Sequence, residues 1–305
     1  MGKTAFIFPG QGAQYIGMGR DFYEQMPVSR EMFDLASKAA NLDVAALCFE
    51  ENEKINITEY TQIAMLAMEA AVLKAVEEKG FKPDMAAGLS LGEYGALVAA
   101  GVMSEEDAFR VVRKRGMYMQ EAVPKGGAMT AVLGLGADAI EKVCEETEGI
   151  VSIANYNCPG QIVITGQADA VNKAAQTLSE AGAKRCIPLN VSGPFHSIML
   201  KEAGEKLGEV LEETEIHDIR LPYLANVTAD YVADKEQVKP LLMQQIASPV
   251  RWQQSVERMI ADGVDNFVEI GPGKTLSGFM RKINRDVKVI NIEKVEDLKK
   301  LDGIR

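Results

Sequence analysis

Ser90 stands at the apex of Gly88-Leu89-Ser90-Leu91-Gly92, and this G-x-S-x-G spacing suits a serine on a sharp turn between a strand and a helix. The apolar stretch Met85 to Ala87 precedes it, and a run of small residues from Glu93 to Ala100 follows. Flanking glycines fit a turn too tight for side chains at the neighbouring positions. Its hydroxyl then lies beside a helix N-terminus, where free N–H groups and the positive end of the helix dipole favour a developing oxyanion. A serine nucleophile needs a base, and the chain offers two histidines, His196 and His217. His196 lies in Ser192-Gly193-Pro194-Phe195-His196-Ser197, a turn leading into a helix, where an imidazole that titrates near working pH can take a proton. His217, in the polar string Glu213–Asp218, reads as a solvated surface residue.

Two glycine-bearing strings fail as nucleotide sites. Gly10-Gln11-Gly12 lacks the third glycine of a dinucleotide fingerprint, because position 15 is Tyr. Its other use is a loop whose backbone N–H groups point at an oxyanion. Gly273-Lys274-Thr275 mimics the end of a P-loop, but Val268 stands where the first glycine belongs. Arg110, Arg113, Lys114 and Arg115 crowd four cations into six residues of one helix. At about 100° per residue they spread around the cylinder and cannot share one role. Either they form a solvated face, or one arginine turns inward to clamp a carboxylate and the others meet an acidic partner.

The elements that must position these residues are α/β in character. Lys3–Phe8 reads as a buried strand, 58–78 as a deeply placed helix rich in small residues, and 85–88 as the strand before the elbow. Ser104, followed by acids at 105–107, is an N-cap for a helix reaching about Val123. Pro124-Lys125-Gly126-Gly127 looks like a linker. Beyond it the predicted order is strand 129–133, helix 138–146, strands 150–156 and 161–165, helix 169–181 and strand 185–189, the β-α-β-β-α-β order of a ferredoxin-like unit. The α/β pattern then resumes with a helix over 198–213 and a strand over 222–225. Two helices follow, then strand 266–270 and a last strand over 287–290. The expectation is a discontinuous large α/β domain, 1–124 with 191–305, built on a short parallel sheet flanked by helices, and an inserted small subdomain, 125–190. Gln11, Ser90, Asn226 and Gly271 each fall just after a predicted strand, where sites gather in parallel sheets.

Composition narrows the function classes. The chain has 305 residues, 47% of them hydrophobic, and a net charge of −11, which argues against general nucleic-acid binding. Apolar runs fall short of the ~18–20 residues of a membrane span, and no signal-peptide pattern opens the chain, so a cytoplasmic location is expected. Cys48, Cys144, Cys158 and Cys186 are far apart without paired histidines, which argues against a metal site or a disulfide framework.

Taken together, several strings resemble the malonyl-CoA:acyl-carrier-protein transacylase family. They are Phe8-Pro9-Gly10-Gln11-Gly12-Ala13-Gln14, Gly88-Leu89-Ser90-Leu91-Gly92-Glu93-Tyr94 and Arg115-Gly116-Met117-Tyr118-Met119-Gln120. With them stand Asn155-Tyr156-Asn157-Cys158-Pro159-Gly160-Gln161, Phe195-His196-Ser197, Ala225-Asn226-Val227-Thr228, Gln245 with Ser248-Pro249-Val250, and Glu269-Ile270-Gly271-Pro272-Gly273. They occur in family order from residue 6 to about 280. The resemblance implies a hydrolase-like core and a ping-pong transfer of malonyl from coenzyme A to the phosphopantetheine thiol of holo acyl carrier protein, through an ester on Ser90. It implies His196 as base, the backbone N–H groups of Gln11 and Leu91 as the oxyanion hole, Arg115 as the clamp for the malonyl carboxylate, and the Gln245 main-chain carbonyl as the group that orients His196. No bound cofactor, nucleic acid or membrane is implied, coenzyme A thioester is substrate, and the working unit is expected to be a monomer.

This chain departs from the family at Leu89, where histidine is common, and at Pro194, where a small residue is common. Phe195 leaves less room for an α-branched acyl group. Because carrier proteins are acidic, docking needs a local basic patch, either Arg110, Arg113 and Lys114 or the group Arg281, Lys282, Arg285 and Lys288. Alternative readings are an acyltransferase serving a polyketide carrier, a serine esterase or thioesterase on a related core, and a non-catalytic carrier-docking module.

Overall fold

The computed structural model describes residues 2–123, 125–191 and 193–304. Pro124, expected in the linker, and Ser192, expected in the turn before His196, lie outside them. The chain opens with β1 (Lys3–Phe8), buried from Thr4 onward because both of its edges and both of its faces are covered. Three helices follow that carry no assignment above: α1 (Arg20–Gln25), α2 (Pro27–Ala40) and α3 (Val44–Phe49). Proline at its first turn starts α2, Asn41 in left-handed conformation stops it, and Asp43 caps α3 by accepting from the Ala46 N–H at 2.8 Å. Then α4 (Thr58–Glu78) runs through the core, buried on nearly every side, which its alanines and methionines permit.

The elbow lies between β2 (Met85–Gly88) and α5 (Gly92–Ala99). Ser104 caps α6 (Glu105–Ala122), as expected, accepting from the Asp107 N–H at 3.1 Å. The order β3 (Gly127–Leu133), α7 (Ala137–Glu146), β4 (Val151–Cys158), β5 (Gln161–Gln167), α8 (Ala168–Glu180) and β6 (Arg185–Pro188) follows. After a 3₁₀ turn at Ile198–Leu200 come α9 (Lys201–Glu212), β7 (Leu224–Ala225), β8 (Asp230–Tyr231), α10 (Val238–Gln245) and α11 (Trp252–Ala261). The chain closes with β9 (Val264–Ile270), α12 (Thr275–Ile283) and β10 (Lys288–Ile292).

Among the described residues one sheet is parallel throughout, in the order β10-β9-β1-β2, with apolar clusters on both faces. A second sheet is antiparallel, in the order β4-β5-β3-β6, and packs α7 and α8 over its own cluster around Val132, Ile153, Ile164 and Leu178. The antiparallel sheet is tied to the segment before α11 through Val250: the Tyr156 N–H donates to the Val250 carbonyl at 2.9 Å, and the Val250 N–H to the Ala154 carbonyl at 2.8 Å. The strand expected at 222–225 is not a full member of the parallel sheet. Tyr223 bridges Ala86 in parallel, whereas Leu224 and Ala225 turn back in a hairpin with β8, and this puts Asn226 at the hairpin turn. No helix of the described residues is long and apolar enough to cross a membrane.

Candidate active site

The elbow glycines are required by space. A Cβ on Gly88 would lie 1.9 Å from the backbone carbonyl of Gly92, and one on Gly92 would lie 2.1 Å from the Phe8 carbonyl oxygen. Ser90 itself sits at φ 54°, a left-handed conformation that costs a non-glycine residue on the order of 1–3 kcal/mol. Asn226 holds it there. Its Oδ1 accepts from the Ser90 N–H at 2.6 Å and its Nδ2 donates to the Gly88 carbonyl at 2.6 Å.

His196 Nε2 lies 2.8 Å from Ser90 Oγ, and Nδ1 lies 2.8 Å from the Gln245 main-chain oxygen. A carbonyl only accepts, so Nδ1 carries the proton and Nε2 is left to accept from the serine. The ring is buried, and its backbone also takes a left-handed φ of 63°. Burial, then the charge of Arg115, pushes the His196 pKa down to about 4, against the hydrogen bonds of Gln245 and Ser248. The imidazole is therefore neutral across the physiological range. His217 lies elsewhere, half-exposed, with Nδ1 3.6 Å from Glu215.

Arg115 is fully buried on α6 and does not itself line the cavity; it reaches Ser90 from behind. One Nη donates to Gln62 Oε1 at 2.7 Å; the other donates to Gln245 Oε1 at 2.9 Å and to Ser90 Oγ at 3.2 Å. The guanidinium also lies 5.6 Å from the centre of the Tyr94 ring. Its Nε has no partner. Gln245, fully buried at the end of α10, joins the whole site. Its carbonyl orients His196, its Oε1 accepts from Arg115, and its Nε2 donates to the Ser90 carbonyl at 3.0 Å and to Glu93 Oε2 at 2.6 Å.

The cavity in front of Ser90, about 220 Å³, is lined by Gln11, Leu91, Phe195 and His196 among others. Met129, Asn155, Asn157 and Val163 of the antiparallel sheet also line it, as do Leu276 and Phe279 of α12. The Gln11 side chain is fixed by donating to Thr58 Oγ1 at 3.1 Å. Within the elbow the Ser90, Gly92 and Glu93 amides donate to Asn226, Leu89 and Ser90 respectively. Among the described residues no cluster of three or more His, Cys, Asp or Glu side chains could hold a metal ion.

The structure thus brings Ser90, His196, Arg115, Gln245, Gln11 and Leu91 to one place. Sequence reasoning gave no role to Gln62, Glu93 or Asn226. Gln62 was detectable as a polar residue one turn beyond Thr58 on an apolar helix, and Glu93 as the one acid of a helix otherwise small and apolar.

A serine on a strand–turn–helix elbow, bonded to a neutral buried imidazole at the end of a parallel sheet, defines an α/β enzyme of serine acyl transfer. Residues 5–298 match the acyl transferase domain family, and the chain belongs to that family. It is 48% identical to the malonyl CoA-acyl carrier protein transacylase of Bacillus subtilis, over 98% of this chain and 96% of that one. The crystal structure of the Clostridium perfringens malonyl CoA-acyl carrier protein transacylase superposes with a TM-score of 0.96 at 42% identity, covering 99% and 96% of the two chains. A malonyl-transacylase solved in complex with its type II polyketide-synthase acyl-carrier protein also gives 0.96, at 39% identity, over 99% and 100%.

Proposed function

We propose that this chain moves the malonyl group from malonyl-CoA to the phosphopantetheine thiol of an acyl carrier protein, through an ester on Ser90. One observation carries the reading: His196 Nε2 at 2.8 Å and an Arg115 Nη at 3.2 Å converge on the same hydroxyl. A base and a fixed cation beside one nucleophile suit an acyl donor that bears a carboxylate.

Ser90 Oγ attacks the thioester carbonyl while His196 Nε2 takes its proton. The C–S bond then breaks, and the proton passes from His196 to the departing coenzyme A sulfur. Carrier thiol repeats the sequence in reverse, with His196 as its base. The backbone N–H groups of Leu91 and Gln11 hold the oxyanion. In support, the Ser90, Gly92 and Glu93 amides of the elbow are already engaged, and Gln11 lines the same cavity as Ser90. Arg115 takes the malonyl carboxylate, exchanging its neutral partners for an anion.

Residues 125–190 form a ferredoxin-like subdomain inserted into the large domain of 1–124 and 191–305. The 4-1-3-2 order of its strands and its separate apolar cluster support that division. The family resemblance implies a monomeric working unit. A reducing, cytoplasmic setting fits the unpaired thiols of Cys48, Cys144, Cys158 and Cys186. The carrier serves fatty-acid synthesis; the relative bound to a polyketide carrier makes a polyketide partner the second reading.

Intact-mass spectrometry after incubation with malonyl-CoA or acetyl-CoA tests this directly. A malonyl adduct on Ser90 that is absent from Ser90→Ala and clears on adding holo carrier protein is expected. An adduct that clears in water alone points to a thioesterase, and no adduct from folded protein refutes transfer.

A further inference from the structure

Arg115 carries its charge in a fully buried place, yet the atoms bonded to it belong to neutral groups: Gln62, Gln245 and Ser90. An isolated ion of this kind is costly unless an opposite charge is near. The groups facing the same space from each surrounding element are few. They are Glu93 and Tyr94 on α5, Arg115 on α6, Glu69 on α4, His196 in the turn before α9, and Tyr223 before β7. Burial raises the tyrosines, raises Glu69 and lowers His196, so it disfavours charge on each of them. Of the two carboxylates, only Glu93 is joined to Arg115 through hydrogen bonds.

Glu93 is built into the site. Its Oε2 accepts from Gln245 Nε2 at 2.6 Å and from the Asn226 N–H at 3.1 Å, and Gln245 Oε1 accepts from Arg115 at 2.9 Å. One amide side chain therefore links cation and anion, and the same carboxylate fixes Asn226, which holds the Ser90 N–H. Its second oxygen, Oε1, is buried without a partner. The Glu93 pKa stands at about 7, raised by burial and held back by Gln245, Asn226 and Arg115.

We propose that Glu93 is the internal counter-anion of Arg115, and that it takes up a proton from the medium when the substrate carboxylate arrives. This inference rests on the malonyl-transfer reading. Two carboxylates cannot share one buried guanidinium without repulsion, and the enclosed one yields by binding a proton. Glu93 is thus a positioning and specificity residue, acting through Gln245 and Asn226. An incoming acyl group without a carboxylate leaves Glu93 charged, whereas malonyl replaces it as partner of Arg115.

The test measures protons with an indicator dye in weak buffer while the malonyl–Ser90 adduct is followed by mass, for the wild type and Glu93→Gln. Glutamine keeps an oxygen to accept from Gln245 and Asn226 but cannot titrate. The freed coenzyme A thiol ionises alike in both proteins, so their difference isolates Glu93. Expected is a wild-type excess uptake of about 0.9 proton per adduct at pH 8, falling to about 0.1 at pH 6 for a group that titrates near 7. At pH 8 the KM for malonyl-CoA is expected to fall several-fold in Glu93→Gln and to lose its pH dependence between 6 and 8. Equal uptake in both proteins overturns the inference while the adduct upholds the transfer reading. Should the variant not fold, wild-type uptake that fails to rise from pH 6 to pH 8 overturns it on its own, and a wild type with no adduct overturns both.

Discussion

Acetyl and malonyl groups differ by one carboxylate, and in the proposed reading a single buried cation tells them apart. On that reading a malonyl carboxylate gives the buried guanidinium a charge-assisted partner that acetyl cannot supply, worth about 1.5–3 kcal/mol per hydrogen bond. Arg115→Ala is expected to lower malonyl transfer at least about 30-fold and to shift the malonyl-to-acetyl ratio toward acetyl, read from competing donors; an unchanged ratio rules out the clamp. His196 sets a second expectation. As a base it must be neutral, and its pKa of about 4 lies below that of an ordinary imidazole. Lowering the pH from 7 to 5 therefore leaves the base available, and kcat for acylation should fall only as pH drops through about 4, in a rapid-quench pH profile. A limb near 6.5 contradicts the buried setting. Arg115 was ambiguous from its neighbours in sequence, since helical spacing spreads all four cations; burial by α4, through Gln62, resolves it.

The elements hold these residues at some cost to stability. Glu69 lies fully buried in the middle of α4 with neither carboxylate oxygen partnered, and burial drives its pKa well above the usual range. The sign follows from linkage: a carboxyl that holds its proton more tightly when folded destabilises the fold increasingly as pH rises above its unfolded value of about 4.3. Glu69→Met, close in volume, is expected to raise stability by on the order of 1–3 kcal/mol at pH 8 and by less at pH 5, measured by denaturant unfolding. A gain independent of pH would mean that packing, not charge, is responsible. Most elements were legible before the fold, because strands that precede glycine turns and helices with polar caps announce themselves locally. Sequence failed where tertiary pairing decides. The residues at 222–225 look like a core strand, yet Leu224 and Ala225 pair with β8, and that hairpin is what delivers Asn226 to the elbow. Gln245 gave no local sign of its side-chain bonds, which reach three other elements.

For the whole molecule, a net charge of −11 opposes an acidic carrier, so the location of free cations matters. Arg110 is paired with Asp107 at 2.7 Å, and Arg113 with Glu59 at 3.2 Å. By contrast, Arg281 and Lys282 end α12, whose Leu276 and Phe279 line the cavity, and Arg281, Lys282 and Arg285 line one pocket. Reversing Arg281 and Lys282 to glutamate is expected to weaken carrier binding about tenfold at low salt and to flatten its salt dependence, while malonyl-CoA acylation of Ser90 persists. Unchanged affinity would move the dock to the other patch.

Ser90 and His196 are 106 residues apart, the antiparallel sheet is made between them, and Gln245 lies 155 residues beyond the serine. A ribosome must therefore release the chain through Gln245 before the Ser90 hydroxyl meets His196 and its orienting carbonyl. Until then the serine is as inert as any in an unfolded peptide, and a half-made or truncated copy has no means to squander malonyl thioesters. Ignition of the chemistry thus waits until the chain has been made through Gln245.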